Sequence, residues 1–173
     1  MPFLTEAELR RSNSPYRSPY IESSKYRARV TIFLSHSHKD KDLVLGFINL
    51  LGSNSQISIY VDWQDSTMPR ITNRETASAI KKRIDENHCF MILATKNAME
   101  SRWVPWEIGV ADVKKAWERI ILVPIADPQG NFVGNEYLQL YQRLEITTLK
   151  EVRLVQPDSI GSINFKSWLV NRF

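Results

Sequence analysis

Val30-Thr-Ile-Phe-Leu34 runs directly into Ser35-His-Ser-His-Lys-Asp40, and this stretch decides the fold. Its first half is β-branched and aromatic and too short for a buried helix, so it reads as a strand covered on both faces. Its second half is polar, and Ser37 precedes Asp40 by three, a spacing that caps a helix. Leu43, Val44, Phe47, Ile48 and Leu51 then recur at helical spacing as far as Gly52. A buried strand feeding an amphipathic helix is the first half of a crossover to a parallel neighbour.

The same alternation continues along the chain. Ile57-Ser-Ile-Tyr-Val61 is a second strand, followed by a polar loop, Gln64 to Thr72, that contains Pro69. Thr72-Asn-Arg-Glu75 has capping-box spacing and opens a helix carried by Ala77, Ile80 and Ile84. Cys89-Phe-Met-Ile-Leu-Ala94 is a third strand. A long helix ending near Glu118 follows, with Trp106, Val110, Val113 and Trp117 as its expected core stripe. Ile120 to Ile125 is a fourth strand, and a short helix is expected over Glu136–Gln142. A fifth strand is expected within 144–156, and a closing helix from Ile160 to Asn171 turns Ile163, Trp168 and Leu169 inward. The order predicts a flavodoxin-like three-layer α/β sandwich, with a five-stranded parallel sheet (order 2-1-3-4-5) and helices on both faces.

Residues 1–28 read as a separate basic arm rich in Ser, Pro and Tyr, before a domain over 29–173. Within the arm, Thr5-Glu-Ala-Glu8 has capping-box spacing for a short helix through Leu9; the remainder is expected to be extended or disordered. The net charge of +4 suggests nucleic acid only until it is divided. Residues 1–29 hold six basic and three acidic side chains, whereas 30–173 hold 17 and 16. The core is nearly neutral, which argues against a duplex-binding face. No apolar run approaches the roughly 18 residues of a membrane span, and the N-terminus has no apolar stretch typical of a signal peptide. Cys89 is the only cysteine, which excludes a disulfide framework and fits a reducing cytoplasm.

Ligands of such sheets bind at the carboxyl ends of the strands where the strand order reverses, between the first strand and the third. That places a site between Ser35–Asp40 and Thr95–Glu107. The first segment sets hydroxyls, two imidazoles and Lys39 where a helix begins, a setting that favours an anion such as phosphate. The second, Ser101-Arg-Trp-Val-Pro-Trp-Glu-Ile-Gly109, puts Trp103 and Glu107 four apart on one helical face. An aromatic plate beside a carboxylate suits an aromatic, partly cationic ligand, and burial would raise the carboxyl pKa. His36 and His38 alternate across the strand end and make a poor joint metal site, so no metal is expected. Among the glycines there is no G-x-G fingerprint, no P-loop and no G-x-S-x-G elbow.

Phe33-Leu-Ser-His-Ser-His-Lys-Asp40, Ile59-Tyr-Val-Asp-Trp63, the Pro69 loop and Ser101–Gly109 resemble, in that order, a bacterial Toll/interleukin-1 receptor (TIR) domain. The resemblance implies cleavage of the nicotinamide–ribose bond of NAD+, which is substrate rather than cofactor. Its Trp-x-x-x-Glu pattern falls on Trp103 and Glu107, so Glu107 takes the catalytic role, stabilising an oxocarbenium-like ribose. Phe33, Ser35, His36, Asp62, Trp63 and Trp103 would line the pocket, and Lys39 would hold phosphate. With one carboxylate evident, the attacker could be water, a nicotinamide analogue or the substrate's own adenine, giving ADP-ribose, a cyclic isomer or a conjugate. The resemblance further implies homo-oligomers and a separate effector that reads the nucleotide, as in Thoeris anti-phage systems. A non-catalytic TIR–TIR interaction module and a virulence-type interference protein are the alternatives within the family.

Overall fold

The computed structural model describes residues 3–13, 29–51, 57–68, 71, 73–132, 134–147, 151–157 and 160–173. At its centre are β2 (Val30–Ser35), β3 (Ile57–Tyr60), β4 (Cys89–Ala94), β5 (Ile120–Ala126) and β6 (Gln142–Ile146). These five strands are parallel and lie in the order β3-β2-β4-β5-β6, which is the expected 2-1-3-4-5 arrangement. The sheet is wider than five strands, however. β7 (Val152–Val155) and β8 (Ser162–Asn164) continue it antiparallel beyond β6. β1 (Leu4–Thr5) pairs parallel with β5 at Ile125 and Ala126, beyond the registers that β5 shares with β4 and β6.

Successive side chains of β4 show how one strand serves two cores. Cys89, Met91 and Leu93 pack with α2 (Lys41–Leu51) and α6 (Phe165–Arg172). Phe90, Ile92 and Ala94 pack with α3 (Arg74–Glu86) and α5 (Trp103–Lys114) on the other face. Both registers are apolar because both faces are covered. Cys89 is a packing residue, and burial pushes its thiol up to about 12.

Several expectations need correction. The core stripe of α5 is not Trp106, Val110, Val113 and Trp117: Val113 is 85% exposed and Trp117 54% exposed. The buried stripe is Val104, Glu107, Ile108 and Ala111. It has the proper helical spacing but contains a carboxylate, so a search by bulk apolar residues passed it over. The helix ends at Lys114, and Trp117–Arg119 is a separate 3₁₀ turn. The expected closing helix begins only at Phe165, because Ser162–Asn164 pair with β7 first. Glu136–Leu140 is a 3₁₀ turn. Asn73 caps α3 by accepting from the Thr76 N–H. Thr72 and Pro69 lie outside the described residues, as do residues 14–28 of the arm.

Thr5 and Glu8 form the full reciprocal capping box of α1 (Glu6–Ser12). That helix packs on α2 with Leu9 fully buried. The approach is so close that a Cβ on Gly46 would sit 2.0 Å from the Leu9 carbonyl oxygen. Gly46 is therefore a contact requirement of the α1–α2 crossing.

Candidate active site

β2 ends at Ser35, and the chain turns through a Ser37-capped 3₁₀ segment, His38–Asp40, into α2. Asp40 is buried there and accepts hydrogen bonds from Thr95 Oγ1 and Asn97 Nδ2. Those bonds tie the turn after β2 to α4 (Lys96–Met99), the turn after β4. The crevice between the two strands thus has rigid lips. Beyond α4, Ser101 Oγ accepts from the Trp103 and Val104 backbone N–H groups and starts α5. Pro105 sits in that first turn, where its missing N–H costs nothing.

This start sets the rotation of α5 and aims Glu107 at the sheet. Glu107 is 7% exposed and Ser35 1% exposed. Ser35 Oγ donates to Glu107 Oε2 at 2.5 Å. Burial pushes the Glu107 carboxyl up to about 8, and the nearby charge of Asp62 pushes the same way against the opposing Ser35 bond. The group is therefore an acid at neutral pH that becomes a carboxylate when a cation enters beside it.

The facing wall comes from the turn after β3. Asp62 Oδ1 accepts from the Trp63 N–H at 2.8 Å. The Trp63 indole N–H donates to His36 Nε2 at 2.9 Å, while His36 Nδ1 lies 2.9 Å from the Leu34 carbonyl. An indole N–H only donates and a carbonyl only accepts, so His36 is a neutral imidazole carrying its proton on Nδ1. Burial lowers its pKa, in agreement with that state. His38 is exposed, yet its Nε2 lies 3.3 Å from Asp62 Oδ2. Both imidazoles converge on Asp62, contrary to the opposite facing expected from strand alternation. The turn to 3₁₀ geometry at His38 breaks that alternation. Among the described residues no group of three His, Cys, Asp or Glu is arranged for a metal ion.

A third wall segment, Asp65 to Met68, is clamped to α3. Asp65 accepts from Tyr60 Oη, Arg83 Nε and both the N–H and hydroxyl of Thr67. Burial raises the Asp65 carboxyl, but these donors outweigh it and hold it at about 2. Arg83 also stands 5.6 Å from the Tyr60 ring centroid, and Tyr60 stacks on Phe33.

Together these elements enclose a cavity of about 580 Å³, within the range of small-ligand sites. Phe33, His36, Asp62, Trp63, Trp103 and Glu107 line it. Ser35 reaches it only through Glu107, and Lys39 is exposed and outside the lining. Arg74 is the exposed first residue of α3 and also lies outside it. Sequence reasoning missed His38, Met68, Ile71, Thr76 and Ile80, which complete the walls. Thr76 and Ile80 are four apart on α3, a spacing that reads as ordinary core. Besides Glu107 and the expected Asp62, Asp65 is a further carboxylate lining the same cavity, one that the sequence reading did not place there.

Residues 32–153 match the TIR domain family model, which covers most of the chain. The chain belongs to the TIR domain family. Two relatives sharpen the comparison. This TIR protein is 30% identical over 144 residues to a Bacillus cereus (strain MSX-D12) protein named as a probable 3' cyclic ADP-D-ribose synthase, ThsB', covering 80% of this chain and 74% of that one. It is 34% identical over 80 residues to a Cytobacillus dafuensis protein provisionally named as a cyclic ADP-D-ribose synthase, TIR2. That match spans 44% of this TIR chain but only 21% of the longer relative.

Proposed function

We propose that this TIR protein cleaves NAD+ at the nicotinamide–ribose bond, releases nicotinamide and closes the remaining ADP-ribose into a cyclic isomer. The observation that carries the reading is the buried Glu107, hydrogen-bonded to Ser35 and facing a cavity walled by Trp103, Phe33 and Asp62. A desolvated carboxylate beside aromatic faces stabilises a developing ribosyl cation far better than one in water. The cationic pyridinium ring itself favours ionisation of Glu107 on entry, so the substrate switches on its own catalytic group. Trp103 packs against the nicotinamide or its ribose, and Phe33 and Trp63 close the sides. The cyclic product is supported by the relatives named as cyclic ADP-D-ribose synthases.

The same reading makes residues 29–173 the catalytic unit. Homo-oligomerisation completes the site, and a separate effector senses the cyclic nucleotide during anti-phage defence in the bacterial cytoplasm. Among the described residues no helix is long and apolar enough to cross a membrane.

Chromatography of NAD+ incubated with concentrated protein tests the proposal. Nicotinamide and a cyclic ADP-ribose isomer are expected, both lost in Glu107→Gln. Release that is as fast in Glu107→Gln as in wild type would falsify the assignment.

A further inference from the structure

Closing the ring, or hydrolysing it, requires something that Glu107 does not supply. The glycosidic bond breaks with its electron pair passing to the nicotinamide ring nitrogen, giving neutral nicotinamide. The relative named as a 3' cyclic ADP-D-ribose synthase points to a ribose hydroxyl rather than adenine as the internal attacker. That oxygen, or one from water, then bonds to the cationic ribosyl carbon and must lose its proton. Overall, NAD+ gives nicotinamide, a cyclic ADP-ribose and one H+, or with one water it gives nicotinamide, linear ADP-ribose and one H+. Glu107, 7% exposed and bonded to Ser35, is poorly placed to carry that proton to solvent.

Resting on the function proposed above, we infer that Asp62 is the general base that takes this proton and that His38 passes it to solvent. Asp62 lines the cavity together with Glu107, and its carboxylate is oriented by the Trp63 N–H at 2.8 Å. Its second oxygen faces His38 Nε2 at 3.3 Å. The His38 side chain is 65% exposed, whereas that of Asp62 is 18% exposed, so the pair runs from the cavity wall to bulk water. His36 lies almost as close, at 3.6 Å from the first oxygen, but cannot serve. Its Nδ1 proton is committed to the Leu34 carbonyl and its Nε2 lone pair to the Trp63 indole. Of the two imidazoles on Asp62, one is locked as a strut and the other is free to exchange a proton. Other charged groups near the pair are Glu107 from α5, Asp65 on the same cavity wall, Asp40 beside His36, and Lys41 from α2. Lys41 Nζ sits 5.4 Å from the centroid of the Trp63 ring.

Nicotinamide exchange isolates the step. Incorporation of labelled nicotinamide into NAD+ requires cleavage and its reversal but moves no proton. Ring closure and hydrolysis both move one. Asp62→Asn should therefore lower cyclic plus linear product by about 100-fold more than it changes nicotinamide exchange, whatever its effect on Glu107 does to exchange itself. Asp62→Ala should recover product formation as formate is added. His38→Gln, altered at an exposed position, should form product several-fold more slowly at low buffer concentration and recover with imidazole. Equal losses of exchange and product in Asp62→Asn, or an unchanged product rate in either Asp62→Asn or His38→Gln, would overturn the relay and leave Glu107 chemistry standing. A wild-type chain that neither releases nor exchanges nicotinamide would overturn both.

Discussion

Ser35 Oγ donates to Glu107 Oε2 at 2.5 Å, joining the last residue of β2 to the second turn of α5. This bond favours the ionised form of a carboxyl that burial nevertheless raises to about 8. Removing it should make Glu107 harder to ionise. A hydrogen bond to a charged group is worth about 1.5–3 kcal/mol, so Ser35→Ala should move the acidic limb of the kcat/KM profile upward by about 1–2 pH units. Activity near pH 7 falls accordingly and partly recovers in alkaline buffer. A uniform loss at every pH would assign Ser35 a packing role instead.

The raised Glu107 pKa also predicts a stability cost. In the unfolded chain the group ionises near its ordinary 4.5, whereas in the fold it waits until about 8. Between those values the native state holds the extra proton, so stability declines as pH rises through that window and levels off above it. Glu107→Gln removes the titration. Thermal denaturation should show the variant close to wild type near pH 4.5 and more stable at pH 8, by an amount on the order of a few kcal/mol. A gain of equal size at both pH values would contradict the buried-acid assignment.

Arg83 is predicted to act on substrate affinity through the wall it holds. Its Nε bond to Asp65 and its contact with Thr67 keep the Asp65–Met68 segment against α3. Arg83→Ala should raise KM for NAD+ by roughly tenfold, the loss of about 1.4 kcal/mol, with a smaller change in kcat. Arg83→Lys should recover little, because a single ammonium cannot reproduce the two-sided guanidinium contact. A fall in kcat at constant KM would contradict the clamp.

Gly46→Ala should dislodge α1 from α2. The added methyl would meet the Leu9 backbone oxygen at 2.0 Å, and backbone yields less readily than a side-chain tip. The expected loss is about 1–3 kcal/mol, read as a lower Tm together with faster proteolysis within residues 3–13. Unchanged proteolysis would mean that the helices accommodate the methyl without parting.

Much of this protein is determined by the sequence alone. β4 is bounded by its own apolar run, the α1 capping box by Thr5 and Glu8, and the flavodoxin-like order of the five parallel strands is the one expected of the alternating strand–helix pattern. These are local patterns or general chain rules, legible without coordinates. The carboxyl-end location of the cavity follows from the same rules. The tertiary structure alone decided how α5 is rotated, because a stripe of Val104, Glu107, Ile108 and Ala111 competes with a bulkier one that lies partly in solvent. It also decided that β6 is followed by an antiparallel extension and that β1 pairs with the carboxyl end of β5. Strand pairing depends on partners distant in the chain. The convergence of His36, His38 and Asp62 depends on a 3₁₀ turn and an indole hydrogen bond between segments 27 residues apart, which no spacing rule encodes.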